Sequence, residues 1–147
     1  YKCLTMLNEE QLWKSPNSII PPVGCQILHL CGNARQWVLS GLGGVPDNRD
    51  RDQEFVVQDN IRKSDFIFLL ENLKSQLNRC FHELPEKELE TIHSIQGFNV
   101  TGFSSIAHVM EHFSYHTGQI TLLTKLHTGK ETGFYSEIDL NQHNNLN

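Results

Sequence analysis

Residues 105–120 read S-I-A-H-V-M-E-H-F-S-Y-H-T-G-Q-I, and the three histidines His108, His112 and His116 fall four residues apart. On a helix, side chains at i and i+4 lie one turn apart on the same face, with Cβ atoms about 6 Å apart. Two imidazoles so placed can reach one metal ion at about 2.1 Å. The spacing admits two registers, His108/His112 and His112/His116, and the choice between them determines what chemistry the stretch can do.

The first register, His108-Val109-Met110-Glu111-His112, has the form H-x-x-E-H, in which two histidines hold zinc and a glutamate activates water. Little chain follows His112 to supply the further acidic ligand that such sites use. A helical wheel at about 100° per residue favours the second register. Ile106, Val109, Phe113, Ile120 and Leu123 form an apolar arc, with His116 inside it and His112 at its edge. His108 falls further round, towards Glu111 and Tyr115. Glu111 turns away from His116, and Tyr115 reads as a packing residue. Buried imidazoles need partners, and two side by side call for a metal or a polar network.

A third ligand must come from another helix. Cys25, His29 and Asn33 again stand at i, i+4 and i+8, opposite an apolar face that includes Ile27, Leu30, Ala34 and Trp37. Their stripe holds Gln26, Gln36 and Ser40 but no charge. A solvent-facing stripe normally carries Lys or Glu, so this one suits a lined cavity. His29 is the preferred third ligand, with Cys25 a lesser candidate as an extra one. Asn33 and Gln119 are candidates for hydrogen bonding to the ligand rings or for contacting substrate. No catalytic residue is assigned.

The elements that position these residues are read as four helices with almost no strand, an all-α four-helix bundle. The first spans 1–13 and is expected to lack its N-terminal part, since Tyr1 is not a natural start. The second runs from about Ile19, capped by Asn17 or Ser18, to about Gly41. The third runs from a Ser64 cap to about Leu84, before Pro85, and the fourth from a Thr101 cap to near Gly129. Residues 45–62 make a long polar crossover between the second and third helices, and loops of that length are often functional. The segment 88–100 fits either a short strand or an irregular connection. Residues 141–147 are expected to be mobile.

At 147 residues the chain suits a single domain, 1–147. Its net charge of -5 gives no basic footprint for nucleic acid. No apolar run approaches the roughly 20 residues of a membrane span. Cys3, Cys25, Cys31 and Cys80 form no C-x-x-C pair, and they read as free thiols in a reducing cytoplasm. Gly41-Leu42-Gly43-Gly44 lacks the lysine and the strand-to-helix setting of a phosphate loop. Asp47-Asn48-Arg49-Asp50-Arg51-Asp52 reads as a solvated, internally paired loop, or as one that closes over the site with Arg49 or Arg51 on an anionic thiol.

Taken together, His29-Leu30-Cys31-Gly32-Asn33, His112-Phe113-Ser114-Tyr115-His116-Thr117-Gly118-Gln119-Ile120, Arg51-Asp52-Gln53-Glu54-Phe55 and Phe134-Tyr135-Ser136 resemble the DinB-like (damage-inducible) superfamily, and a bacterial branch of unknown function within it. The resemblance implies a DinB-like four-helix bundle with a long crossover, a homodimer, and one divalent metal held by His29, His112 and His116. Zinc or nickel comes first among the metals and iron next, with a low-molecular-weight thiol as a further cofactor. Three protein ligands with an open position are the catalytic pattern, which suits thiol transfer or hydrolysis of a small-molecule substrate. The rival readings are a non-catalytic metal-binding or stress-response module, and a metal-free helical interaction protein.

Overall fold

A computed structural model describes residues 1–143. The chain is mostly helical, with one small β-hairpin. The first expected helix is two short ones, α1 (Lys2–Met6) and α2 (Glu9–Trp13). Asn8 causes the break: its side chain accepts the Gln11 amide and the Gln11 side chain accepts the Asn8 amide. This reciprocal cap starts a helix afresh.

The next helix, α3 (Val23–Ala34), begins four residues later than expected. Asn17 Oδ1 accepts the amides of Ile19 and Ile20, so it closes a turn instead of capping a helix. Pro22, extended at ψ 165°, is the last residue before the helix. Beyond Ala34 the chain stays helical but widens into a π-helical stretch, Arg35–Ser40. The Gly41 amide closes this stretch on the Gln36 carbonyl at 3.0 Å.

The crossover contains one turn of 3-10 helix, Asp52–Phe55. α4 (Lys63–Glu83) then starts one residue before Ser64, because the Asp65 carboxylate accepts the Arg62 amide at 2.8 Å. After Pro85 comes a second 3-10 turn, Glu86–Leu89.

The expectation of an all-α chain is corrected at the next segment. β1 (Ile92–Ile95) and β2 (Phe98–Thr101) pair antiparallel, with Ile92 opposite Thr101 and Ile95 opposite Phe98. Gln96 and Gly97 both have positive φ, 52° and 84°, as a two-residue hairpin turn of the right-handed twist requires. The longest helix, α5 (Gly102–Thr128), starts where expected: Thr101 Oγ1 accepts the Ser104 amide at 3.1 Å. It stops at Gly129, left-handed at φ 64°. The tail expected to be mobile lies mostly outside the described residues.

α3 packs along α5, and α4 and the short N-terminal helices close over them. Leu12, Val23, Val38 and Phe66 are fully enclosed, and Trp13 tilts against Phe66 at 5.6 Å between ring centres. All four cysteines are free thiols. Burial pushes the Cys31 thiol up to about 12, which leaves it unreactive at neutral pH. No helix among the described residues is long and apolar enough to cross a membrane.

Phe66→Ala opens a cavity at the centre of this packing and is expected to cost about 3–5 kcal/mol. Phe68→Ala, two residues on and exposed, is expected to stay within about 0.5 kcal/mol. Urea melts followed by circular dichroism compare the two.

Candidate metal centre

α3 turns His29 inwards and α5 turns His112 and His116 to meet it. One ring nitrogen from each lies within 4.8 Å of the other two. The Nε2 atoms of His29 and His112 are 3.1 Å apart. Two imidazole nitrogens sharing one ion at about 2.0–2.1 Å would stand about 3.0–3.4 Å apart, so this spacing suits joint coordination. The Nδ1 atoms of His112 and His116 are buried without a hydrogen-bond partner among the described residues, and a donor set of three imidazoles suits zinc, nickel, iron or copper.

His29 is oriented from behind. Its Nδ1 donates to Glu54 Oε2 at 2.8 Å, which leaves the Nε2 lone pair facing the cluster. A carboxylate on the far nitrogen of a ligand histidine fixes its tautomer and raises its basicity. Glu54 is itself held by Arg49, which donates Nε to Oε1 at 2.7 Å and Nη2 to Oε2 at 2.8 Å. Arg49 also donates Nη1 to Gln36 Oε1 at 2.8 Å, and Gln36 donates to Asp47 at 2.8 Å. Gly32 makes room for this, because a Cβ there would overlap the Glu54 carboxylate.

Burial alone would raise the Glu54 pKa, but the hydrogen bonds and charges of Arg49 and His29 outweigh it and hold the carboxyl below its usual range. Burial, and then the neighbouring His116, His29, His108 and Arg49, push His112 down to about 4. Burial and the nearness of His29 also lower His116, against the opposing, raising effect of the Gln119 side chain. Both rings are therefore neutral near pH 7, the form that binds metal.

His108 stands apart from the three. Its Nε2 meets the Asn33 amide nitrogen at 3.2 Å, and its ring stacks on Trp37 at 3.9 Å. Burial, with a smaller push from Arg49, lowers its pKa against Glu111. Asn33 thus serves His108 and not the His29 ring. Cys25 is buried one turn before His29, with Sγ 3.7 Å from the Val56 carbonyl, which accepts from it. Its thiol is pushed up by burial. Arg51 is exposed and lies 5.1 Å over the Phe55 ring, which in turn lies 4.9 Å from His29. The residues that sequence reasoning missed are Glu54, Gly32 and Gln36, and Arg49 was not singled out over Arg51. The one available signal was Glu54 within the Arg51–Phe55 stretch already noted.

The helical layout is that of a DinB-like fold. A DinB-like protein from Bacillus cereus ATCC 10987, known from its crystal structure, superposes with a TM-score of 0.69 at 20% identity. The match covers 86% of this chain and 81% of that one. The chain belongs to the DUF1572 family, proteins of unknown function, which it matches over residues 1–137. No curated protein matches it.

Glu54→Gln and Gly32→Ala are each expected to weaken metal binding by about 10–100-fold, while Arg51→Gln changes it less than threefold. Competition titration against a chromophoric chelator reads all three.

Proposed function

We propose that His29, His112 and His116 hold one divalent metal ion, and that the chain is a metal-dependent enzyme of the thiol-transferase or hydrolase kind acting on a small molecule. The observation that carries this reading is the convergence of three ring nitrogens within 4.8 Å, with no Cys, Asp or Glu among the described residues joining them in the group. A coordination position left open by the protein is the catalytic pattern, whereas structural sites are usually closed by four ligands. When bound, the ion would lower the pKa of a coordinated water or thiol and polarise a carbonyl.

The chain's own residues have definite parts in this reading. Glu54 and Arg49 orient His29, and burial keeps His112 and His116 neutral. Gln119 steadies His116. In this reading exposed Arg51, whose guanidinium lies over the Phe55 ring, meets the anionic end of a thiol cofactor. The donor set puts zinc or nickel first and iron next. A homodimer belongs to the same reading. α5 carries exposed apolar side chains for it at Phe103, Met110, Leu122 and Leu126.

One observation favours a second reading: the ligands join α3 to α5, so an ion there would also staple the fold. A structural ion binds only the native state and raises the melting temperature by the full linkage term.

Metal content of untagged protein, measured by mass spectrometry, tests the proposal. Near one metal per chain is expected in wild type and in His108→Ala, and less than a tenth of that in His116→Ala. Loss in His108→Ala with retention in His116→Ala would transfer the site to the H-x-x-E-H register. Metal-dependent turnover of thiol or ester substrates separates the enzyme from the staple.

A further inference from the structure

A second cavity lies away from the three histidines, between the π-helical stretch and the C-terminal half of α4. Its volume is about 490 Å3, within the range of about 300–1,000 Å3 typical of small-molecule sites. Leu39, Leu42, Val45, Leu84 and Pro85 give it an apolar wall, and Arg35 and Arg79 stand exposed at its edge.

The wall is built by the glycine run that the metal site leaves unused. A Cβ on Gly43 would come within 2.8 Å of both Cys80 Sγ and the Leu39 carbonyl. Glycine there lets the backbone lie directly against α4. Gly44, at φ 68°, turns the chain back, and the Val45 amide closes the wall by donating to Leu39 O at 3.0 Å.

The charges at this cavity are uneven. Arg35 gives one N–H to Gln76 Oε1 at 2.7 Å. Neither Arg35 nor Arg79 has a carboxylate partner among the described residues. Glu83 is the one acid in the lining, so two arginines face one glutamate in a chain whose net charge is -5. An inorganic anion would make no use of the apolar wall, and a cation would be repelled by the pair of guanidiniums. A guanidinium matches a carboxylate in charge and in planar, forked geometry.

We propose that this cavity binds a small amphipathic organic anion, an aliphatic or aromatic carboxylate, with its body on Leu39, Leu42 and Leu84 and its charge on Arg35 and Arg79. The site is independent of the histidine centre and of any metal there.

Octanoate and 1-octanol are the probes, titrated calorimetrically into the full chain with and without metal. Cys80, which lines the cavity, reports locally through its rate of alkylation by iodoacetamide. The expected result is saturable 1:1 binding of octanoate, at least tenfold tighter than octanol. It includes slower Cys80 alkylation at saturation and a loss of about tenfold in affinity, some 1.4 kcal/mol, in each of Arg79→Gln and Arg35→Gln. Both arginines are exposed, and circular dichroism checks that the variants stay folded. Equal binding of octanol and octanoate, wild-type affinity in both variants, or no saturation with wild type would each overturn the proposal.

Discussion

The hydrogen bond from His29 to Glu54 is the contact on which the rest of the centre depends. It joins a loop to a helix across 25 positions of sequence and makes an irregular crossover part of the interior. Taking a carboxylate out of water costs several kcal/mol, and one partner rarely offsets that. Here Arg49 supplies two hydrogen bonds and a charge while Gln36 and Asp47 hold Arg49 in turn. Such a network contributes less to stability than to uniqueness of conformation, since each member is satisfied only when all are in place. The crossover is thereby fixed at Arg49 and Glu54 and stays exposed at Arg51 and Phe55, which joins a rigid back to a reachable front.

Legibility in the sequence followed the range of the interaction. α5 was legible at both ends, because Thr101 and Gly129 act on backbone groups within one turn. Its inward face was legible too, because the apolar arc around Val109 and Ile120 is a local pattern. The break at Asn8 was hidden: Asn8 and Gln11 read equally well as helix-face residues until their side chains are seen to bond each other's amides. The hairpin was half visible, since Gln96-Gly97 is a weaker turn signal than Asn-Gly or Asp-Gly. The π-helical stretch had no signature, because residues 35–40 carry the composition of an ordinary helix. Glu54 was hidden for a different reason. Nothing within the crossover distinguishes a carboxylate destined for His29 from Asp47, Asp50 or Asp52, and Gly32, which admits it, reads only as a small residue in a helix.

The separation of His108 from the other histidines shows how one helix face is divided between two uses. Four residues before His112, His108 finds Trp37 as a stacking partner and Asn33 as a hydrogen-bonding one. Both partners come from the same continuous helical run that carries His29. The π-helical stretch begins at Arg35, between Asn33 and Trp37, so one partner of His108 lies before the change of helix twist and the other within it. π-helical turns often mark functional positions, and here the widened turn brings Trp37 over His108 while leaving His29 in α-helical register.

The three clustered imidazoles carry a cost that packing alone leaves uncompensated. A buried polar atom without a hydrogen bond costs about 1–3 kcal/mol, and His112 and His116 each bury one Nδ1 in that condition. Protonation offers no relief, because burial and mutual repulsion drive His112 down to about 4. Apolar side chains at both positions would pack against Phe113 and Ile120 without that penalty. A fold that tolerates a local conflict of this kind usually does so where it works. A divalent cation between the facing Nε2 atoms of His29 and His112, 3.1 Å apart, would take lone pairs from neutral imidazoles without bringing a proton.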